Sequence, residues 1–395
     1  MRIVEVEALD IELSGTDGIA SWRPVFARVT VEDGTTGLGE LGMAYGTGAP
    51  AGGPMILALA ERFVLGRDVL ATSAIWDDML RNSFWAEGGG PVVFGAMSAL
   101  DAALWDIKGR LLGQPVHRLL GAETPAPLRC YASQLQFDWS ETAVNLSDPA
   151  AYRDAAARAR DQGYDCVKVD PVMIAADGAR DGDLRGFFPP DKRRVARQRM
   201  EAIRDGAGPD TDIILELHSF TSREGALQLA ELVADLGILL IEEPTHYNAP
   251  SAHVALRPRA PCPLAAGERL YTRWGFQPYF EAQAIDMAQP DLGLAGGITE
   301  GVRIADFAEL HDITVQAHVC GSPLATAIAL QFEAAISNFE IHEHHSYALK
   351  ACNRDLFEED LQPKDGAFAV PTRPGFGMTL SAAAEARMNK ARVKA

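Results

Sequence analysis

Basic residues, long apolar runs and paired cysteines are all scarce in this sequence, and each scarcity excludes a class of protein. The 395 residues include 36 lysines and arginines against 54 aspartates and glutamates, a formal net charge of -18. A general binder of nucleic-acid backbones is excluded, because such proteins displace counterions with clustered cations. No apolar run approaches the roughly 20 residues that cross a bilayer, so no membrane partner is expected. The five cysteines lie far apart without a Cys-x-x-Cys pair, which predicts reduced thiols and a cytoplasmic location.

Material for a buried core is plentiful. Hydrophobic residues make up 47% of the sequence and charged residues 23%, which is typical of a globular protein. The length suits a barrel of roughly 250 residues with an accessory domain. The acidity does not decide the sign of a substrate, because a bound divalent cation would reverse the local electrostatic field.

The first part of the chain reads as strands followed by helices. Strand-like runs and a turn signal at Asp33 and Gly34 predict an antiparallel meander, and apolar residues at helical spacing predict helices that cover it. The predicted strands are residues 3–13, 24–32 and 36 onward, and the predicted helices are residues 54–65, 71–81 and 96–112. Two stretches rich in glycine, serine, threonine and proline are predicted as mobile loops, residues 14–22 and 44–53.

From about residue 128 the pattern changes to short apolar strands that alternate with helical stretches. This alternation predicts an α/β fold with a parallel sheet, and eight strands are the count of a barrel, whose catalytic groups lie at the C-terminal strand ends. The predicted strands are residues 128–133, 166–170, 212–218, 238–244, 263–268, 285–291, 314–318 and 339–343. The segment after about residue 361 lacks this pattern, and we expect it to fold back onto the N-terminal unit.

Three glutamates close three consecutive predicted strands at equal spacing. Glu242 follows Glu216 by 26 residues, and Glu268 follows Glu242 by the same 26. One strand-helix unit advances the barrel by one strand, so the three carboxylates should lie side by side on one rim, where they would repel each other. A hard divalent cation such as magnesium would turn this repulsion into binding. The alternative is that each glutamate simply ends its strand in solvent.

Acidic and imidazole groups also end the later strands. Asp291 and His318 close the next two strands, and a carboxylate on one ring nitrogen would prepare the other as a general base; a buried structural histidine is the alternative. On the eighth strand, alternation places Glu343 on the inner face. A transition-metal site at the surrounding His-Glu-His-His run is the competing interpretation, but the helical His-Glu-x-x-His spacing is absent.

These motifs together resemble the mandelate racemase and muconate lactonizing enzyme branch of the enolase superfamily. The resemblance is carried by Glu-Glu-Pro, Gly-Glu, Gln-Pro-Asp followed by Gly-Gly-Ile-Thr-Glu, the strand-end histidine, and Asp-Ala-Ala-Leu-Trp-Asp-Ile-Lys-Gly at residues 101–109. It implies a capping domain (1–125), a modified TIM barrel (126–360) and a C-terminal segment (361–395) that packs on the cap. It also implies Mg2+, or Mn2+ as a substitute, on Glu216, Glu242 and Glu268, a base formed by Asp291 and His318, and stabilisation of an enolate by Glu343. The expected partner is a small carboxylate, an aldonic or aldaric acid, and a homo-oligomer is expected.

One departure from the family pattern selects the reaction. Racemases of this branch carry Lys-x-Lys on the second barrel strand, whereas this chain has Lys168 and then Asp170, which disfavours two opposed bases unless one of these residues substitutes. His218, two residues after Glu216, faces the same side and could protonate a leaving hydroxyl. This arrangement resembles galactonate-type dehydratases, which have Asp-x-His there. Alternatively, His218 only orients a metal ligand.

The sequence therefore predicts a carbon-oxygen lyase that dehydrates a sugar acid to a 2-keto-3-deoxy acid. A racemase, epimerase or cycloisomerase of the same superfamily is the alternative, and a barrel that binds without catalysis is a further one. The two predicted loops should recognise the distal part of the substrate, with Trp22, Arg23 and Tyr45 as candidate contacts.

Overall fold

The chain folds around two sheets, one antiparallel and one parallel. This computed structural model describes residues 1–84, 86–123, 125–182 and 184–395. The strands in chain order are β1 (Ile3–Asp10), β2 (Val25–Val31), β3 (Thr36–Leu41), β4 (Leu128–Ser133), β5 (Cys166–Val169), β6 (Asp212–Glu216), β7 (Ile238–Glu242), β8 (Leu264–Ala266), β9 (Met287–Ala288), β10 (Thr314–Val315), β11 (His342–His345), β12 (Ala367–Phe368) and β13 (Asn389–Lys394).

Helices cover both sheets in the described part of the chain. They are α1 (Ala49–Leu59), α2 (Thr72–Asn82), α3 (Pro91–Leu112), α4 (Val116–Leu119), α5 (Pro149–Asp161), α6 (Pro190–Ala207), α7 (Arg223–Val233), α8 (Pro250–Leu256), α9 (Thr272–Glu281), α10 (Gly297–Glu309), α11 (Pro323–Glu333), α12 (Ala351–Arg354) and α13 (Ala382–Glu385). A π-helical turn, Ala60–Val64, extends α1. None of the helices in the described ranges combines the length and the hydropathy of a membrane span.

The antiparallel sheet has the strand order β13-β1-β2-β3, so the last strand of the chain pairs with the first. Helix α3 packs directly on β3, and this close approach depends on glycine. A Cβ on Gly39 would lie 2.0 Å from the carbonyl oxygen of Ala99 in α3. Helix α3 begins with Pro91 and ends at Gly113 in the left-handed conformation, with φ of 64°, the usual proline start and glycine stop of a helix.

The parallel sheet has the strand order β10-β9-β8-β7-β6-β5-β4-β11. Pairing of Val315 with Phe339, just before β11, links the last strand of this order back to the first. The interior is filled by one apolar side chain from most of these strands, namely Tyr131, Cys166, Ile214, Leu240, Ala265, Met287 and Ile341. The predicted α/β barrel with an α+β unit is confirmed.

Two predictions about local structure need correction. Residues 49–53 were predicted as loop, but α1 already begins at Ala49 with a proline in its first turn, and Gly52 packs against Leu41 of β3. Residues 339–341 were predicted as strand, but β11 begins at His342, because Phe339 makes only an isolated pairing with Val315. The alternation nevertheless keeps Ile341 in the barrel interior, as the pattern requires.

Candidate active site

The C-terminal rim of the barrel collects buried acidic side chains. Glu216 ends β6 and Glu242 ends β7, and the two are paired in register across these strands. Glu268 follows β8 by two residues and is 9% exposed, while Glu343 lies in β11 and is 1% exposed. Strand ends that meet at one edge of a barrel bring such residues together, so the predicted convergence of the carboxylates is present.

A buried lysine neutralises much of this acidic cluster. The Nζ atom of Lys168 lies 3.3 Å from Glu216 Oε2 and 2.9 Å from Glu343 Oε1, and it also contacts Glu242 Oε1. Burial works against the lysine charge, but the surrounding glutamates, Glu242 first, raise its pKa well above the usual value. Lys168 is therefore a protonated counter-charge in this arrangement, and it does not line the cavity described below.

The three glutamates carry the donor chemistry of a hard divalent cation. Burial raises the pKa of Glu216 to about 7, and burial with the charge of Glu216 raises the pKa of Glu242 well above its usual range. Glu216 Oε2 is buried and accepts no hydrogen bond within the described ranges. Carboxylate oxygens of this kind are the ligands that magnesium prefers, so the residues fit such an ion.

The described residues do not adopt the geometry of a metal site. No group of three or more histidine, cysteine, aspartate or glutamate side chains among them is arranged to hold a metal ion. The reason is visible in the ion pairs, because Lys168 contacts Glu216 and Glu242, while Arg269 contacts Glu268. Lys168 and Arg269 therefore occupy carboxylate oxygens that a cation bound by these three glutamates would use.

His318 and Asp291 form the predicted pair. His318 Nδ1 lies 2.8 Å from Asp291 Oδ2, and the other carboxylate oxygen accepts the backbone N–H of Gly293 at 2.7 Å. His318 Nε2 lies 3.2 Å from Glu268 Oε2. Burial opposes the imidazolium charge, yet Glu268 and then Asp291 outweigh it and raise the pKa of His318 to about 10.

His218 belongs to a second histidine–carboxylate pair. His218 Nδ1 lies 2.7 Å from Asp170 Oδ2, and Asp170 Oδ1 accepts two backbone N–H groups, from Val172 at 2.9 Å and Met173 at 2.8 Å. His218 has a φ of 49°, in the left-handed region that only a few per cent of non-glycine residues adopt. The structure thus gives Asp170 a definite partner, which the sequence left open.

Two glutamines complete a circuit of hydrogen bonds around His218. The backbone N–H of Asp170 donates to Gln136 Oε1 at 3.2 Å, and Gln136 Nε2 donates to Gln134 Oε1. Gln134 Nε2 then lies 3.3 Å from His218 Nε2. A backbone N–H can only donate, so Gln136 accepts through Oε1 and donates through Nε2, and Gln134 accepts through Oε1. Gln134 therefore donates its Nε2 hydrogen to His218 Nε2, and the proton of the neutral ring lies on Nδ1 beside Asp170.

A cavity of about 240 Å3 joins these groups. His218, Glu268, Asp291 and His318 all line it, and so does the predicted contact Tyr45. The other two predicted substrate contacts lie elsewhere in the described structure. Trp22 is fully buried, with its Nε1 3.1 Å from Asn353 Oδ1, and Arg23 Nη2 lies 2.6 Å from Asp10 Oδ1.

Several cavity residues escaped the sequence analysis. The guanidinium of Arg180 lies 5.2 Å from the ring centre of Tyr45 and 5.7 Å from that of Phe137. His345 and Tyr347, at the end of β11, also line the cavity. The run of histidines at residues 342–345 could have indicated His345. The sequence around Arg180, in the loop after β5, has no pattern that predicts its position at the cavity.

An antiparallel α+β unit together with a parallel barrel whose C-terminal rim is acidic defines the class of fold. A family model described as enolase C-terminal domain-like matches residues 151–384, and a model of the mandelate racemase / muconate lactonizing enzyme N-terminal domain matches residues 13–121. The chain therefore belongs to the mandelate racemase and muconate lactonizing enzyme branch of the enolase superfamily, as its motifs predict.

Several relatives that match over nearly the full length carry the name dehydratase. The D-xylonate dehydratase of Haloferax volcanii is 28% identical over 386 residues, which cover 97% of this chain and 89% of that protein. The crystal structure of a proposed dehydratase from Zymomonas mobilis ZM4 matches with a TM-score of 0.96 at 38% identity, and one from Salmonella enterica serovar Typhimurium with 0.95 at 41%. In both structural comparisons all of this chain and all of the other chain are covered. These relatives confirm the predictions of an enzyme and of the hydro-lyase class.

Proposed function

We propose that the protein is a magnesium-dependent dehydratase of an aldonic or aldaric acid. The observation that carries this proposal is the presence of two histidine–aspartate pairs at one cavity, His318 with Asp291 and His218 with Asp170. The dehydratase relatives support the same reaction class. The predicted domain boundaries, homo-oligomeric assembly and cytoplasmic location stay predictions.

His318 is the proposed base that removes the proton next to the substrate carboxylate. Asp291 holds Nδ1, so Nε2 is the nitrogen that can accept the proton once Glu268, now 3.2 Å away, serves the cation instead. The carboxylate also stabilises the imidazolium that forms when the base accepts the proton. Glu343 is held by Ser133 Oγ at 2.6 Å and by the backbone N–H of Val319 at 2.9 Å, and in its protonated form it is the group proposed to donate a hydrogen bond to the enolate oxygen.

His218 is the proposed acid that protonates the leaving hydroxyl. It follows β6, whereas His318 follows β10, four strands away in an order of eight, so the two rings approach the cavity from opposite sides. Asp170 stabilises the protonated ring through Nδ1, and Nε2 delivers the proton. Gln134 donates to Nε2 in the resting ring, so its amide has to turn away when Nε2 takes up from solvent the proton that it later delivers.

Glu216, Glu242 and Glu268 are the residues proposed to hold Mg2+. When bound, the cation supplies electrostatic stabilisation of the negative charge that develops on the substrate carboxylate. Lys168 would still have Glu343, 2.9 Å away, as a partner if the cation took up Glu216 and Glu242. Arg269 would still have Glu243, whose Oε2 lies 3.6 Å from its Nη1.

The position of Lys168 favours dehydration over racemisation. A racemase needs a proton acceptor on each face of the substrate carbon, and Lys168 is fully buried and does not line the cavity, which argues against this lysine as the second base. Tyr45 and Arg180 are the proposed contacts for the distal end of the acid, because their aromatic and cationic groups meet at the cavity.

The experiment is a screen of aldonic and aldaric acids with MgCl2, read by proton NMR in D2O for 2-keto-3-deoxy products and for exchange at C2. For the productive acid, His218→Asn should abolish dehydration, with at least a hundredfold loss, while His318-dependent exchange at C2 stays measurable. His318→Asn is the matched variant and should lose both. Loss of exchange in His218→Asn with intact Mg2+ binding would contradict the acid role, and inversion at C2 without elimination would indicate an epimerase.

A further inference from the structure

Three imidazole rings line the cavity in the described structure, and they differ in what their Nδ1 atoms contact. In His218 and His318, Nδ1 faces a carboxylate oxygen, at 2.7 Å and 2.8 Å. In His345, Nδ1 instead accepts the backbone N–H of Tyr347 at 3.1 Å. The first two rings bind an acceptor through Nδ1, and the third binds a donor.

This difference fixes the position of the ring proton. A nitrogen that accepts a hydrogen bond must present a lone pair, so Nδ1 of His345 is unprotonated and the proton of the neutral ring lies on Nε2. Burial lowers the pKa of His345 to about 3, which keeps the ring neutral. His345 is therefore a hydrogen-bond donor at Nε2, whereas His218 in its neutral form is an acceptor there.

The surroundings hold the His345 ring in place. The side chain is 7% exposed and caps the turn Ser346–Leu349 that follows β11. The ring of Tyr347 lies 4.8 Å away by ring centres, at an angle of 66°. Tyr347 in turn meets Trp22 edge to face at 4.7 Å, and Trp22 is anchored to Asn353 at 3.1 Å. A donor held this firmly loses little freedom when it binds a ligand.

We propose that His345 binds the substrate, by donating its Nε2 hydrogen to a hydroxyl or carboxylate oxygen of the polyhydroxy acid. The proposal rests on the proposed function for the identity of the ligand. The chemical reason is complementarity, because Glu268 and Asp291 at the same cavity are anions that cannot donate to an oxygen-rich acid. Such an acid needs donors, and the fixed tautomer of His345 adds a neutral one to the guanidinium groups of Arg180 and Arg269 that also line the cavity.

Two amide substitutions test the roles of the two ring nitrogens separately. Asn reproduces Nδ1, because its Oδ1 can accept the Tyr347 N–H, but it lacks an atom at Nε2. Gln reaches the position of Nε2 with an N–H donor but does not reproduce the cap. His345→Asn should therefore keep the hydrogen bond to the Tyr347 N–H and lose the donor to the substrate. His345→Gln should lose the hydrogen bond to the Tyr347 N–H and keep a donor to the substrate.

The binding experiment uses whichever acid of an aldonic and aldaric panel gives the largest thermal shift with wild-type protein and MgCl2. By calorimetry, His345→Asn should bind this acid about tenfold more weakly or worse, with Tm within about 2 °C of wild type. His345→Gln should bind within about threefold of wild type, with a lower Tm from loss of the cap. The opposite pattern, or equal affinity of His345→Asn and wild type, overturns the inference while leaving the dehydratase proposal intact.

A spectroscopic measurement tests the ring itself without any substrate. Long-range 15N–1H correlation spectra of histidine-labelled protein, with His345 assigned by the missing signal of His345→Asn, should show a protonated Nε2 and an unprotonated Nδ1. A protonated Nδ1 overturns the inference whatever the enzyme catalyses. If no acid of the panel shifts wild type, the inference and the proposed function fail together.

Discussion

Buried carboxylates occur in two regions of the molecule, and they are neutralised in different ways. At the interface of the N-terminal unit and the barrel, Glu40 accepts the N–H of Ser322 at 2.8 Å and that of Ala325 at 3.1 Å, where α11 begins. At the barrel rim, Glu216 and Glu242 end neighbouring strands and rely on the Nζ of Lys168. The carboxylate at the interface accepts hydrogen bonds from backbone N–H groups. The carboxylates at the rim are instead paired with the ammonium group of a lysine side chain.

Asp101 also accepts hydrogen bonds at the start of a helix, as Glu40 does, but the helix is α10. Its two oxygens accept the N–H of Thr299 at 2.9 Å and the hydroxyl of the same residue at 2.5 Å, in the first turn of α10. Backbone N–H groups at a helix N-terminus are favourable partners for an acid and cannot leave it. The contrast teaches that strand-end carboxylates facing each other indicate a binding function, whereas carboxylates on helix starts hold two layers together.

The largest expected effect comes from neutralising one rim acid. Glu242→Gln removes an anionic oxygen from the proposed cation site, so Mn2+ binding measured by calorimetry should fall below detection at millimolar metal. Turnover of the productive acid should fall by at least about a hundredfold, since the cation supplies several kcal/mol of charge stabilisation. Asp101→Asn, the same chemical change at the interface, is the matched control and should bind Mn2+ like wild type. Equal loss in both variants would remove the distinction between the regions.

A smaller effect is expected from pH at the interface. Burial raises the pKa of Asp101 from 3.8 to about 7 in the folded protein, so the folded protein binds this proton more tightly than the unfolded chain does. The contribution of Asp101 to the free energy of unfolding therefore decreases as pH rises from about 4 to about 7, by a few kcal/mol at most. Asp101→Asn should show a flatter fall in stability over this range.

Urea unfolding of metal-free protein at pH 5 and pH 8 measures this difference. The comparison between wild type and Asp101→Asn isolates the Asp101 contribution, because all other titrating groups are shared. Parallel stability curves for the two proteins would mean that Asp101 stays ionised throughout, and that the Thr299 donors alone compensate its burial.

The sequence predicted those parts of the site that follow from chain order. The equal spacing of Glu216, Glu242 and Glu268 indicated consecutive strand ends, and the positions of Asp291 and His318 indicated neighbours, which lie 2.8 Å apart. Such predictions succeed because one strand-helix unit always advances the barrel by one strand.

Contacts between distant segments could not be predicted in this way. The pairing of Asp170 with His218 and the position of Lys168 among three carboxylates depend on side chains from different strands. Composition likewise does not reveal which residues of a turn-rich stretch pack inward. Trp22 does so, with its ring fully buried.

The claim on which the account depends is that the rim glutamates hold a divalent cation, and anomalous diffraction from crystals grown with MnCl2 tests it most directly. The account predicts a single strong anomalous peak bounded by carboxylate oxygens of Glu216, Glu242 and Glu268, with Lys168 displaced from Glu216 and Glu242 and Arg269 displaced from Glu268. Lys168 still seated between Glu216 and Glu242 at saturating Mn2+, with no peak at the rim, would contradict it.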